Sequence, residues 1–478
     1  MAACTLAPEP VNSEQVKIRI AGDLHAMFGE QVPVTAPLSL ADALARALRY
    51  NLEQRVKLTE LRLEENLFDL SFNELLPRVT ASTGPVQRNP KNTSISADKN
   101  WDIEQTTTWN ILDFGVSYFR ARQAGNRILV AAEHRRKVVQ SLIQDVRSAF
   151  WRAGRARQLD QDLAVLRKEH KEARAILTET HKEDLRSPIE LYEIEKNLLD
   201  SLRELQLLHR EVLAAPAELA GLMALPPGQN FELALPGPDE PASVLPDRAT
   251  LPDRGALENL ALRRRPELLE EDYQARITAD ETRAEISHIL PGLELTASIN
   301  NTYNTALTWA SLAGRLTTTL GNLISLPKTL EVGEVKQEAG RVRRFALSMS
   351  ILTQTDIAYQ RLQTAYDELG EAVRLSEVAD QLYVHTLAAH RAGLVNRLEL
   401  VRRKSDNILF RTRREFAQNE VHAAVGTLLA SIGIDPPLPE NYSTLDLTGL
   451  AQSLAPYVYL QDFRRWPELD LTSPVKTS

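Results

Sequence analysis

In the stretch VQSLIQDVRSAFWRAGRA, residues 139–156, Val139, Leu142, Val146, Ala149, Ala153 and Ala156 recur at alternating spacings of three and four. That is the seam of a helix packed lengthwise on neighbours. Several seam residues are small, and small side chains let helices approach closely, which suits a tightly wound bundle. Outward from this seam the periodicity predicts one helix from residue 115 to about Leu185. Arg186-Ser187-Pro188 interrupts it, because proline restricts the residue before it and lacks the donor that a helix interior needs. A return helix then runs from about 190 to 225. At about 1.5 Å per residue the long helix spans roughly 105 Å. Such a rod needs partners along its whole length, from this chain or from copies of it.

Composition narrows the function classes. With 56 basic against 64 acidic residues the net charge is −8, which gives no support for a nucleic-acid partner. Only 6% of the 478 residues are aromatic, low for a large globular enzyme and consistent with helices packed through Ala and Leu. No run of 18 or more apolar residues occurs, so the sequence holds no membrane-spanning helix, but barrel strands alternate and escape that test. The single cysteine, in Met1-Ala2-Ala3-Cys4-Thr5, follows two small residues, as at the end of a bacterial lipoprotein signal. The charged and apolar regions of such a signal are missing here, and an ordinary free thiol on an N-terminal tail is the other reading.

The chain repeats itself. Residues 1–36 read as an extended tether, and Ser39 then caps a helix expected over 38–76 and ended by Pro77. Asn51-Leu52-Glu53 corresponds to Arg265-Pro266-Glu267, and Leu76-Pro77 to Leu290-Pro291, both at an offset of 214. Asn110-Ile111-Leu112 matches Asn322-Leu323-Ile324 at 212, and Ala220 to Pro227 matches Ala430 to Pro437 at 210. Each half therefore reads helix, two strands, long helix, break, helix, over 37–225 and 254–435, with a linker at 226–253. The second half has helices at 256–290 and 399–433 around a long helix at 328–391, whose seam is Ala358, Leu362, Ala365, Leu369, Ala372 and Ala379. Two short helices stacked end to end match one long helix in length. This predicts a pole with strands at one end, a hairpin tip at the other and a waist between, which the tail over 436–478, with Trp466, is expected to wrap.

The strands alternate. In 292–304, Leu293, Leu295, Ala297, Ile299 and Tyr303 share one face, and Glu294, Thr296, Ser298, Asn300 and Thr302 the other. In 312–324, Leu312, Leu316 and Leu320 oppose Arg315, Thr317 and Thr319. The first-half pair, about 78–88 and 102–114, is less regular. Apolar outside and polar inside is the transmembrane-barrel pattern, and a soluble sheet with one wet face shares it. Trp101, Trp109 and Trp309 fall near strand ends or loops, as interface aromatics do. Four strands cannot close a barrel, so strands in membrane would oblige copies to share one.

The layout resembles the TolC-type outer-membrane efflux proteins over roughly residues 37–435. The resemblance rests on the duplication, on Pro37-Leu38-Ser39-Leu40-Ala41-Asp42-Ala43-Leu44, on Leu75-Leu76-Pro77 and Trp109-Asn110-Ile111-Leu112-Asp113-Phe114-Gly115, and on His390-Arg391-Ala392-Gly393-Leu394-Val395. It implies a mainly α chain with a transmembrane β-barrel contribution. Three copies would each give four strands to a twelve-stranded barrel continued by a periplasmic helical tunnel. It also implies a homotrimer in outer-membrane lipid, working with a periplasmic adaptor and an inner-membrane pump, and it favours Cys4 as a lipid anchor.

The tips, about 182–190 and 390–399, align at an offset of 209. The resemblance places Glu190, Glu193, Glu399 and Arg402 at the tunnel entrance, and Asp184, Leu185, Ser187, Gly393, Leu394 and Val395 where an adaptor meets it. A ring of carboxylates there would filter cations and respond to pH. Asp184 stands where the family usually has glycine, and Arg402 where another acid is common. Arg397, Arg402, Arg403 and Lys404 could neutralise such a ring, and ordinary ion pairs on a solvated helix face are the competing reading. Glu285-Ile286-Ser287-His288 has the Glu-x-x-His spacing of a di-iron bundle but no second copy. No phosphate loop, paired cysteines or nucleophile elbow occurs, so no catalytic residue, metal site or cofactor is expected. The expectation is a passive trimeric exit duct of the bacterial outer membrane. A periplasmic adaptor, disfavoured by the two hairpins, and a structural coiled coil, disfavoured by the strands, are its rivals.

Overall fold

The computed structural model describes residues 10–73, 76, 78–87, 99–110, 114–182, 188–235, 245–289, 292–302, 307–317, 320–436, 438, 442 and 445–458. The helices are α1 Ser13–Phe28, α2 Leu40–Tyr50, α3 Leu52–Asn73, α4 Phe114–Lys182, α5 Pro188–Leu213 and α6 Ala215–Leu222, then α7 Arg254–Arg264, α8 Pro266–Ile289, α9 Leu320–Arg391, α10 Arg397–Ser431 and α11 Leu447–Val458. The strands are β1 Arg78–Gln87, β2 Lys99–Asn110, β3 Gly292–Thr302 and β4 Leu307–Thr317. The order helix, strand, strand, long helix, helix occurs twice. The chain divides into two compact units that cut across this duplication. One holds Met1–Arg55, Val138–Arg265 and Ile351–Ser478, and the other Val56–Lys137 and Pro266–Ser350.

In the first unit α2 buries Leu40, Ala41, Ala43, Leu44, Ala45, Arg46, Ala47 and Leu48, and α11, which buries Leu450, Leu454 and Tyr457, packs on it. The single helix expected over 38–76 is two helices, because Asn51 leaves helical geometry at ψ 127°. Its side chain accepts from the Gln54 N–H (3.1 Å), starting α3, and donates to the Leu222 carbonyl (3.2 Å) at the end of α6. The second half repeats the device: Arg265 breaks the helix before Pro266 and donates from Nη1 to the Ala430 carbonyl (3.0 Å) near the end of α10. The return helix of the first half is likewise split, at Ala214, into α5 and α6.

Both return helices finish in a left-handed turn that satisfies their last carbonyls. Leu225 N–H donates to Ala220 O (2.8 Å) with Ala224 at φ +55°, and Ile434 N–H donates to Leu429 O (3.1 Å) with Gly433 at φ +70°. The linker is strapped to this unit. Leu38 exchanges backbone bonds of 2.8 Å with Glu232 and Ala234, Leu235 sits on Gly154, and the Tyr366 hydroxyl donates to Pro246 O (2.6 Å). Between α4 and α10, the buried His422 stacks on Trp151 at 4.0 Å and 8°. Burial, with Arg147 and Arg155 nearby, lowers the His422 pKa from 6.5 to about 3.

The second unit carries an antiparallel sheet in the order β1-β2-β3-β4. The register pairs Val79 with Thr107, Ala297 with both Thr107 and Leu312, and Ile299 with both Gln105 and Ala310. It therefore gathers Val79, Ala81, Ile103, Leu295, Ala297, Ile299, Ala310 and Leu312 on one face, together with Gln105 and Thr107. Thr80, Ser82, Glu104, Thr106, Thr108, Thr296, Ser298 and Ser311 lie on the other, where the Ser298 and Ser311 hydroxyls meet at 2.8 Å. Helices approach closely here: a Cβ on Gly333 would lie 2.5 Å from Thr282 Cγ2, and one on Gly125 would lie 3.3 Å from the Phe68 ring.

Four further expectations need correcting. Residues 13–28 are helical rather than extended, because Asn12 and Gln15 cap each other reciprocally (2.8 and 3.0 Å) and no proline falls inside. Their periodicity is weak because no residue of α1 is buried. The fourth strand is 307–317 rather than 312–324, and the second long helix begins at Leu320 rather than 328, with Pro327 inside it. Leu312, Leu316 and Leu320 are four apart, a spacing that fits one face of a strand and one face of a helix equally. The strand expected to end at 114 ends at Asn110, with Phe114 already in α4. Cys4, Trp466 and residues 303–304 lie outside the described residues.

Three stability outcomes follow. Ala224→Gly relieves a left-handed non-glycine residue and should stabilise by about 1 kcal/mol. Gly433→Ala should destabilise by more than that, since its Cβ would sit 2.8 Å from the Arg264 carbonyl oxygen; denaturant midpoints in detergent measure both. His422 is neutral in the fold with its pKa below the unfolded value. Its contribution is complete above pH 6.5 and is lost as pH falls towards about 3, at up to about 1.4 kcal/mol per pH unit. In His422→Phe, which keeps an aromatic ring on Trp151, that part of the acid sensitivity should disappear from the same measurement.

Candidate functional site

The seam of α4 continues past residue 156 through Leu159, Leu163, Leu166, His170, Ala173 and Leu177, and the first unit covers it with α5 and α10. Leu159, Leu163 and Leu166 cluster with Leu205, Val212 and Leu409, and Ala173 and Leu177 cluster with Leu198, Leu398 and Val401. His170 occupies the seam position between these layers. Ser405 Oγ donates to the Val401 carbonyl (3.0 Å) and meets His170 Nε2 at 3.0 Å. The serine proton is thus committed to the backbone, so His170 Nε2–H is the donor and its buried Nδ1 is bare. Burial holds the imidazole below its ordinary pKa against the opposing pull of Glu169.

One residue away, the carboxylate of Glu169 ties α4 to the start of α10. Its Oε1 meets Lys404 Nζ at 2.5 Å and its Oε2 meets Arg397 Nη2 at 3.1 Å, and Arg397 also reaches Glu172 at 3.6 Å. The hairpin between α9 and α10 is set by local backbone chemistry. Gly393, at φ +73°, lets Leu394 N–H donate to Ala389 O (2.9 Å) and its own N–H donate to His390 O (3.0 Å). His390 Nδ1 donates to the Val395 carbonyl (2.8 Å), and Asn396 caps α10 by accepting from Glu399 N–H (2.9 Å). Leu394 is left 80% exposed at the turn.

These contacts decide what the expected site residues can do. Glu399 is engaged on Oε1 by Arg402 Nη2 (2.7 Å) and Arg403 Nε (3.0 Å), within its own helix. Arg403 also reaches Asp406 at 3.8 Å, whose pKa burial raises while Arg403 and Arg402 pull it down. Of the four neutralising cations foreseen, Arg402 and Arg403 take Glu399 and Arg397 and Lys404 take Glu169. Glu193 stands exposed on α5. Asp184, Leu185, Ser187 and the side chain of Glu190 lie outside the described residues. Sequence reading missed Glu169, His170 and Ser405. The signal for the last two was two polar residues at seam positions, in Leu166-x-x-x-His170-x-x-Ala173 and Val401-x-x-x-Ser405-x-x-x-Leu409.

No protein-family model matches the sequence, and no curated protein does. Solved structures match its fold. The open-state MtrE outer-membrane channel of Neisseria gonorrhoeae is 14% identical with a TM-score of 0.66, over 82% of this chain and 88% of that one. The CmeC outer-membrane channel of Campylobacter jejuni is 12% identical at 0.64, over 89% and 94%. CusC, described for its transmembrane channel formation, is 13% identical at 0.65, over 90% and 100%. At these identities the likeness is one of fold, and the fold of this chain is that of the TolC-type outer-membrane channels.

Proposed function

We propose that the chain is one subunit of a trimeric outer-membrane exit duct, a passive conduit rather than an enzyme. The observation that carries this is the sheet. One face holds most of its apolar side chains, with Gln105 and Thr107 among them, the other is lined mainly by hydroxyls, and among the described residues β1 and β4 each pair on one side only, an edge that a bilayer would not tolerate. Val79, Ile103, Ile299 and Leu312 are 51 to 81% exposed on the apolar face. Three such sheets joined edge to edge would make twelve strands with the polar face inward. Heptad-like exposed stripes in the same unit point to copies as well: Val56, Leu63, Leu67 and Leu70 on α3, and Val335, Val342, Phe345 and Met349 on α9. No described helix is long and apolar enough to cross a membrane.

In this reading the repeats are 37–225 and 254–435. Cys4 serves as a lipid anchor, and the tips with Asp184, Leu185, Ser187, Gly393, Leu394 and Val395 meet a periplasmic adaptor coupled to an inner-membrane pump. Glu190, Glu193, Glu399 and Arg402 surround the entrance. Because Arg402 and Arg403 hold Glu399, the entrance would be less cation-selective than an unpaired ring of carboxylates. The adaptor and coiled-coil alternatives leave a four-stranded sheet of this polarity without a role.

Purified from outer membranes, the protein should run as a trimer in native mass spectrometry and give discrete conductance steps in planar bilayers. Leu67→Glu combined with Val342→Glu should yield monomers and no steps. Arg402→Gln should raise cation selectivity, read as a shift in reversal potential under a salt gradient, by removing one of the two cations that hold Glu399. A wild-type chain that is monomeric and absent from outer membranes would overturn the duct in favour of the coiled coil.

A further inference from the structure

Within the first unit, Arg147 of α4 is 5% exposed beside Gly426 of α10 and Tyr457 of α11. Its guanidinium carbon lies 5.8 Å from the centre of the Tyr457 ring, and its Nε and Nη2 have no hydrogen-bond acceptor among the described residues. Burial lowers its pKa. A cavity of about 10 Å³, the space of one water-sized sphere, opens against it, lined by Gln140, Gln144, Tyr457 and the aliphatic side chains of Ile143 and Leu429. Gln140 Nε2 donates to Asp435 Oδ1 (2.7 Å) and Gln144 Nε2 to Thr427 Oγ1 (3.0 Å), which leaves each amide a second N–H.

The charge around the cavity is one-sided. His422 senses Arg147 and stays neutral, and Arg155 is matched by Glu415 at 3.6 Å, which leaves no carboxylate paired with Arg147 among the described residues. A buried cation without a counter-charge is unfavourable, and a guanidinium offers donors only. A water molecule would accept from both donors but leave the charge. A monatomic anion would satisfy both donors and the charge together.

We propose that this cavity is a binding site for one small inorganic anion, chloride under ordinary conditions. Arg147 Nε–H and Nη2–H hold it, and it fastens the C-terminal helix α11 to α4 and α10. The anion would act as a staple: with it bound, Tyr457 closes over a neutral pair, and without it α11 caps an unmatched charge.

Thermal unfolding of the full chain in detergent, at constant ionic strength with chloride traded for gluconate, tests this. The wild-type midpoint should rise progressively with chloride, bromide should replace chloride, and proteolytic release of the segment from Leu447 onward should slow in step. Arg147→Met should show none of these dependences. A wild-type midpoint that is equal in chloride and gluconate, or a chloride shift of the same size in Arg147→Met, would overturn the site. Should that variant not fold, anomalous diffraction from wild-type crystals in bromide decides: a peak within reach of Arg147 Nε supports the anion, and water alone at that position refutes it.

Discussion

A helix of 69 residues has no core of its own, and the rest of this molecule answers that constraint. Every turn of α4 offers a strip of Val, Leu and Ala that must be covered by something running alongside. The chain supplies the cover in pieces. Within the first unit α5 and α10 lie on the strip from Ala156 to Leu177. Within the second, Gly125 brings α4 against Phe68 of α3. The use of short helices as cover makes their junctions critical, because each junction strands backbone donors and acceptors at its ends. Asn51 and Arg265 resolve this by bonding the final carbonyls of α6 and α10. One residue thus ends one helix and satisfies another.

In the proposed duct the same accounting extends to the sheet. Among the described residues β2 and β3 pair with a strand on each side, while β1 and β4 each pair on one side only. In water an edge can be tolerated through charge or twist, but next to an exposed apolar face in lipid it cannot. The exposed stripes on α3 and α9 make the parallel statement for the helices. Strand edges and helix stripes are thus unsatisfied in the same unit, which is economical if one partner arrangement satisfies both.

Much of this was legible in the residues, and the misses have physical causes. The long helices were readable because a seam of strict three-four spacing persists for many turns and proline marks the stop at Pro188. The start of α9 was not, since a spacing of four reads the same in a strand as in a helix, and Pro327 suggested a boundary where the helix absorbs it. The anchors at Asn51 and Arg265 were visible as a repeat, but their role as helix breaks depends on carbonyls that are 171 and 165 residues away in sequence. At the tip, the Glu399–Arg402 pair follows from a spacing of three. Glu169 was invisible because its cations come from another helix more than two hundred residues on.

The polar groups buried in the seam raise the question of what they contribute. A seam rich in Ala and Leu is permissive: sliding one helix along another by a turn replaces one small apolar contact with a similar one. His170 and Ser405 do not permit that slide. The Ser405 proton is spent on Val401 O, so its oxygen can only accept, and the imidazole must present Nε2–H at one height along α4. A slip by one turn would leave a buried N–H facing Val401 or Leu409, and an unmet buried donor costs about 1–3 kcal/mol. The pair therefore adds less to stability than to register, and register is what a hairpin tip requires if Glu169 is to meet Arg397 and Lys404 together. Neutrality of the imidazole is part of the same arrangement. A proton on its bare Nδ1 would place a charge and an unmatched donor between two apolar layers, so the register is best defined when His170 is uncharged.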